Sequence, residues 1–265
     1  MSGAATVRLP RRRAFRANWL ARAAWAALAV YAVYAAQLLE ITWSRFRDGL
    51  GHGAVLVGRM LPPDFERWEL LVSGLKESLE IAVLASAAGI LLSLPVGLLA
   101  ARNLMPAWVS WPARGLVALC RSFHPIIVAI LFVKAVGFGA LAGILALLVA
   151  SIGFIAKLFA EAIEEISLKQ VEAVRATGAS FANVLTFGVL PQVMARFVGF
   201  CVYQTDSNLR NSTMVGIVGG GGIGGTLFAA FQRFDYDYVT AILLSLIALI
   251  WLGELVSARI RPSFQ

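Results

Sequence analysis

Apolar runs of membrane-crossing length alternate with short charged stretches along the chain, near residues 19–40, 73–100, 115–136, 139–160, 193–217 and 238–257. A hydrocarbon core about 30 Å thick takes roughly 20 residues of helix to cross, and a segment in lipid must satisfy its own backbone hydrogen bonds. The pattern therefore predicts an all-α polytopic membrane protein with about six transmembrane helices. It also predicts two parts: residues 1–70, with a basic N-terminus, a first span and an outer segment, and a core over 71–265 with a long polar loop at 161–192.

Charge sets the direction of threading. From an inside N-terminus, alternate crossing puts Arg8 to Arg16, the Arg102 to Arg114 loop, Lys157 to Arg196, and Arg259 with Arg261 in the cytoplasm, as the positive-inside rule asks. Both termini are then cytoplasmic. The outer segment from Thr42 to Leu70 balances Arg45, Arg47, Arg59 and Arg67 against Asp48, Asp64, Glu66 and Glu69. Arg11, Arg12, Arg13 and Arg16 before an apolar run look like a secretion signal, and Arg12-Arg13-Ala14-Phe15 has a twin-arginine cast. The run from Trp19 to Leu39 is longer than a signal core and lacks a cleavage site, which predicts an uncleaved first span.

Composition agrees, with 59% of the 265 residues hydrophobic and only 14% charged, which excludes an ordinary soluble domain. The net charge of +8 does not indicate nucleic-acid binding, because the basic residues lie between apolar runs. Cys120 and Cys201 each sit in an apolar stretch and read as small hydrophobes, with neither a disulfide nor a metal site expected. In the second run Ala85, Gly89, Ser93, Gly97 and Ala101 recur every four residues, a shallow stripe that lets another helix approach within the bundle. Pro95 in the same run removes one backbone hydrogen bond.

The loop 161–192 carries the most information. Glu161, Glu164, Glu165, Lys169, Glu172 and Arg175 make a charged helical face. Gly178 interrupts it, and apolar positions resume at Phe181, Val184, Leu185 and Val189. Two short helices joined at a glycine follow, with Pro191 marking the turn into the next span. Such an element, held by spans on both sides, is able to pass a push from a partner into the bundle.

The fifth run turns polar at Gln204-Thr205-Asp206-Ser207-Asn208-Leu209-Arg210-Asn211-Ser212-Thr213. An arginine or aspartate at a lipid-exposed helix centre costs about 2.5 to 3.5 kcal/mol, so these residues should face protein or a wet cavity. Asp206, Arg210 and Thr213 share one helical face, and Gln204, Asn208, Asn211 and Ser212 the next. Two roles remain open: the face lines a translocation path for an oxyanion, which an arginine fork suits, or Asp206 and Arg210 neutralise each other as a structural pair.

Gly219 to Gly225 contains a formal G-x-G-x-x-G, but no strand–helix–strand unit surrounds it and no P-loop lysine follows. Gly219, Gly220, Gly221 and Gly222 instead predict a re-entrant turn or a close helix contact, with amides near a passing anion. His124 before Pro125 reads as a hydrogen-bonded packing residue, and Lys134 as a snorkelling one.

Glu172-Ala173-Val174, Gly178 and Leu190-Pro191 resemble in spacing the EAA signature of ABC importer permeases. Val174 in place of an alanine and Gly188 in place of a hydrophobic residue depart from it. Leu168 to Pro191, Glu77 to Asn103 and Val215 to Gly225 with its flanks are similar to phosphonate-type permeases. The resemblance implies a type I ABC importer permease fold and a coupling role for Glu172, Ala173, Arg175, Gly178, Leu190 and Pro191. It also puts the glycine turn near an outer gate, and makes the His124-Pro125 pair a departure from a usual proline and acidic residue.

By the same resemblance the partners are an ABC ATPase subunit dimer holding ATP and Mg, a second permease subunit (identical or paralogous) and a periplasmic substrate-binding protein. The implied cargo is phosphonate or phosphite in a bacterial inner membrane, with another solute such as methionine as the alternative. No cofactor is expected in this chain. An integral membrane enzyme would need nucleophile–base pairs or metal ligands; His52 and His124 stand in no metal-like carboxylate spacing, and no H-E-x-x-H or G-x-S-x-G occurs. A passive scaffold or secondary carrier is the third class.

Overall fold

The computed structural model describes residues 19–40 and 42–260. The arginines from Arg8 to Arg16, with the twin-arginine-like stretch, and Arg261 lie outside the described residues. The chain forms two compact units, Met1–Gly58 and Arg59–Gln265.

In the first unit α1 (Trp19–Leu38) has 20 residues, about 30 Å of helix, enough for one crossing. The outer segment holds a helix that the apolar runs did not predict, α2 (Trp43–Arg59). Gly49, Gly51 and Gly53 hid it, since glycine depresses helix propensity. Trp43, Phe46, Leu50 and Val57 follow one another at helical spacing, Trp43 stacks on Phe46 at 5.4 Å, and Arg45 pairs with Glu40 at 2.9 Å.

The second unit is a helical bundle built on α3 (Trp68–Ala100) and α6 (Ala140–Glu164). Their contact uses the small-residue stripe: Ala85 is fully buried, and a Cβ added to Gly97 would lie 2.8 Å from Phe159 Cδ1. Larger residues there would force the two backbones apart, so the stripe is spent on packing inside the bundle.

The third apolar run is not one helix. It forms α4 (Ala107–Ser122) and α5 (Pro125–Val136), which meet at 92°. Proline disfavours the α region for the residue before it, and His124 is extended with φ −67 and ψ 142. His124 then caps α5, its Nδ1 accepting from the Ile126 amide at 3.4 Å. Together the pair carries the chain from one end of the bundle to the other. Ahead of α4 the Arg102 amide donates to Glu164 Oε1 at 2.8 Å, and after α5 the Gly139 amide donates to the Gly219 carbonyl at 2.9 Å.

After α6 come α7 (Leu168–Ala176), α8 (Phe181–Asn183), a π-helical segment (Val184–Val189) and α9 (Leu190–Ile217). The predicted turn at Pro191 is absent, because α8, the π segment and α9 run on as one helix of 37 residues, Phe181–Ile217. Pro191 occupies the first turn of α9, where a missing amide is tolerated, and the wider π ladder absorbs the mismatch. Nor does Gly188 end a helix: it is buried against α7, where an added Cβ would lie 3.4 Å from Val171 Cα.

The chain closes with α10 (Ile223–Gln232), also absent from the apolar runs because it is only 10 residues long, and α11 (Tyr236–Ile260). The bundle thus has a loop end, carrying α7, and a glycine end, carrying residues 219–222. Arg114 with Glu164 at 2.5 Å braces the loop end. At the glycine end Arg67 pairs with Asp235 at 3.2 Å and lies 4.0 Å from the centre of the Tyr238 ring.

Candidate functional site

The α7 hairpin is a polar surface on an apolar anchor. Val171 is buried in a cluster with Ile163, Phe159, Val184, Val189 and Val193, which ties α7 to α6 and to the long helix. Gln192 reaches back, accepting from the Ser167 amide at 3.0 Å and donating to the Gly188 carbonyl at 2.6 Å. The turn at the far side is set by Gly178, whose φ of +77 lies in the left-handed region that side chains avoid. Its amide closes α7 on the Arg175 carbonyl at 3.0 Å, and Ser180 Oγ accepts from the Asn183 amide at 3.4 Å to start the next helix.

Glu172, Ala173, Arg175 and Gly178 are all exposed, and neither Glu172 nor Arg175 has an ion-pair partner among the described residues. Leu168, Phe181 and Phe187 are exposed beside them. Leu190 and Pro191 belong to the anchor: Leu190 packs on the buried cluster and Pro191 opens α9. The six candidate coupling residues thus divide into an exposed tip and a base.

The polar run of α9 divides too. Asn208 is fully buried, donating to Ser86 Oγ of α3 at 3.0 Å and Ser151 Oγ of α6 at 2.8 Å. Gln204, also buried, donates to Asn208 Oδ1 at 3.0 Å and Ser151 Oγ at 3.3 Å. Ser86 and Ser151 pass their own protons to the Ala82 and Leu147 carbonyls. Ser212 and Thr213 are buried on the same helix, Ser212 donating to the Leu209 carbonyl at 2.8 Å. The Gln204, Asn208, Ser86 and Ser151 side chains form a seam joining three helices. The serines Ser86 and Ser151 escaped the sequence reading because a lone serine in an apolar run carries no local signal.

Asp206 and Arg210 pair at 2.7 Å, so the structural pairing exists. The pair is lopsided, with the Asp206 side chain 9% exposed and that of Arg210 43% exposed. Asp206 also lines an apolar cavity of about 440 Å³ between α3, α9 and α11. Tyr203, Arg210 and Met214 are exposed, and Ser207 and Asn211 between them are half-buried and bonded at 3.4 Å. At helical spacing these make a second, outward polar stripe along α9.

The glycine turn is wedged among helices. Gly219, Gly221 and Gly222 have φ of +96, +80 and +78, and a Cβ on Gly221 would lie 2.7 Å from Glu77 Oε1 and 2.8 Å from the Ala140 amide nitrogen. The Gly219 and Gly220 amides are bonded to Gly216 and Val215 carbonyls, and Ser78 Oγ accepts from the Ile223 amide at 2.9 Å. Close helix contact is what these glycines provide here.

With this geometry in hand, the relatives are informative. The sequence profile of the binding-protein-dependent transport system inner membrane component matches residues 93–264. The phosphite transport system permease protein PtxC of Stutzerimonas stutzeri is 41% identical over 219 residues, 82% of this chain and 80% of the relative. The phosphate-import permease protein PhnE of Mycolicibacterium smegmatis is 42% identical over 205 residues, 77% of this chain, though the chain spans only 38% of that relative's length. Among solved structures, an inward-facing conformation of the MetNI methionine ABC transporter superposes with a TM-score of 0.65 at 26% identity, covering 76% of this chain and 99% of that one. The chain therefore belongs to the family of binding-protein-dependent transport system inner membrane components, as a multi-pass permease subunit with the type I ABC permease fold.

Proposed function

We propose that the chain is the permease subunit of an ATP-driven importer for phosphonate or a related phosphorus oxyanion such as phosphite. Similarity over four-fifths of a phosphite permease supports the cargo. The exposed charges of Glu172 and Arg175, unpaired among the described residues, on an anchored hairpin support a motor partner. The loop end faces the cytoplasm, both termini lie on that side, and a dimer of ATPase subunits grips α7. ATP and Mg belong to those subunits.

Two permeases, identical or paralogous, enclose the path, and a periplasmic binding protein delivers the anion at the glycine end. Force on the α7 tip passes through Val171 and Leu190 into α6 and the long helix. That helix has no break between Phe181 and Ile217, so a push at one end reaches the glycine turn at the other. The motion is a rigid-body rotation between two packed arrangements. The outward stripe at Tyr203, Ser207, Arg210 and Asn211 lines the path, while Gln204, Asn208, Ser212 and Thr213 hold the helix that presents it. Asp206 tempers the arginine's charge, which keeps anion binding weak enough for release.

The test is ATPase activity of the reconstituted complex, stimulated by its binding protein loaded with a panel of phosphorus compounds and with methionine. Stimulation by phosphonate or phosphite is expected. Stimulation by methionine alone would replace the cargo, and activity without an ATPase subunit would remove the importer reading.

A further inference from the structure

α2 is a helix with two faces, and nothing among the described residues buries either. Trp43, Phe46, Leu50, Ala54 and Val57 recur three or four residues apart and so share one face, while Ser44, Asp48, His52 and Arg59 fall on the opposite one. Val55 and Leu56 lie off the apolar stripe. No residue of α2 is buried, and the stripe is as bare as the polar face, with Trp43 77% and Leu50 61% exposed.

Its place in the chain says what covers the stripe. α1 is 20 residues long, about 30 Å of apolar helix, so its end comes to the membrane surface. The corner after it is tight. The Glu40 amide donates to the Gln37 carbonyl at 3.0 Å, and Glu40 has φ +53. Arg45, in the first turn of α2, donates to the Glu40 carbonyl at 3.3 Å and pairs with the Glu40 carboxylate at 2.9 Å. α2 therefore starts at the level where α1 ends. Trp43 stands at that start, and tryptophan favours the headgroup level. α2 is no span itself, since 17 residues holding Arg45, Arg47, Asp48 and Arg59 are too few and too charged.

Water alone would not hold such a helix. Gly49, Gly51, Gly53 and Gly58 weaken it, and a Cβ added to any of them meets no atom within 4 Å, so they serve no close packing among the described residues. Burial of an amphipathic face is what usually offsets that cost. Three arginines against one aspartate give α2 a positive balance. Arg47, with no ion-pair partner among the described residues, sits at the edge of the stripe, where its stem can lie along apolar surface while its guanidinium reaches a phosphate. We infer that α2 lies in the plane of the membrane surface on the side where α1 ends, its stripe sunk among lipid chains and its arginines at the headgroup phosphates. This placement requires only that α1 be a span, whatever the direction of threading, the cargo or the motor.

The experiment scans spin labels along α2 in the full complex, reconstituted in vesicles of phosphatidylethanolamine and phosphatidylglycerol. Each variant carries one new cysteine, from Ser44→Cys to Val57→Cys, in a chain with Cys120→Ala and Cys201→Ala. Power saturation then compares collisions with oxygen, which concentrates in lipid, and with a water-soluble nickel chelate. Labels at Phe46, Leu50, Ala54 and Val57 should favour oxygen and lie about 5 to 10 Å below the phosphates. Labels at Ser44, Asp48 and His52 should favour nickel, so that the two reagents alternate with the period of a helix. The pattern is read over the whole scan, so one label that disturbs its own position does not decide it. Equal nickel access on both faces would overturn the inference by leaving the stripe in water. Low access to both reagents along the stripe would overturn it by placing protein there, whether the bundle, a second copy of the chain or a binding protein.

Discussion

The seam around Asn208 and the hairpin around Glu172 are both polar and both joined to the same long helix, yet they treat their polar groups in opposite ways. In the seam, Asn208 is fully buried and its amide donates to two serines from two other helices. At the hairpin, Glu172 and Arg175 are exposed and without an ion-pair partner among the described residues, and of α7 only Val171 is buried. A polar group satisfied inside the chain stabilises the chain. A polar group left unanswered on a rigid support is available to something else. Substitution should therefore cost stability in the seam and transport at the hairpin, and each prediction below tries to break that separation.

The largest effect is expected at the hairpin. Gly178 has φ +77, and a Cβ added there has no atom within 4 Å among the described residues, so Gly178→Trp has room at its Cβ but strains the turn and fills the surface a motor would grip. Uptake should fall by on the order of 100-fold, the upper range of coupling energies between sites, while membrane level holds and stability falls by no more than the roughly 1 to 2 kcal/mol of left-handed strain. Gly178→Asn, which tolerates left-handed φ, should retain most uptake. Normal stimulation of ATPase activity by loaded binding protein in the tryptophan variant would erase the hairpin's side of the comparison.

Next comes the seam. Asn208→Leu keeps the branched shape but is bulkier, deprives Gln204 of one of its two acceptors and breaks two interhelical bonds, which should cost about 1 to 3 kcal/mol. The check is thermal unfolding of the solubilised protein, with Ser86→Ala as the milder companion. An unchanged melting temperature in Asn208→Leu, with uptake lost, would make Asn208 a path residue and not a structural one.

The two regions were unequally legible in the sequence. The hairpin was readable because its signal is local: a charged helical face, a glycine where the chain must turn, and Leu190-Pro191 at a fixed distance. Asn208 was visible as a polar residue at membrane depth, but its direction was not, because that depends on Ser86 and Ser151, which come from other helices. The same limit explains the third apolar run. Hydropathy sees α4 and α5 as one stretch, and only the backbone preference before Pro125 marks the break at His124. It explains α9 as well, where a π segment lets Pro191 sit inside a continuous helix that sequence patterns would end.

Arg210 belongs to neither region, which makes it the sharpest test. It has an internal partner, Asp206 at 2.7 Å, as a seam residue would, yet its side chain is 43% exposed, as a hairpin residue's would be. A fully exposed i,i+4 pair contributes only about 0.3 to 0.5 kcal/mol, but with Asp206 nearly buried the arginine also offsets the cost of a desolvated carboxylate. Arg210→Ala leaves the Asp206 carboxylate, 9% exposed, without its cation and should lower the melting temperature, which the added Asp206→Asn should restore. Uptake should fall by about tenfold, the loss of one charge-assisted contact with an anion in passage. The double variant Arg210→Ala with Asp206→Asn separates the remaining readings. Uptake that stays low after the unpaired carboxylate is removed assigns the arginine to the path. Full recovery assigns the pair to structure, and the comparison would then have no third term.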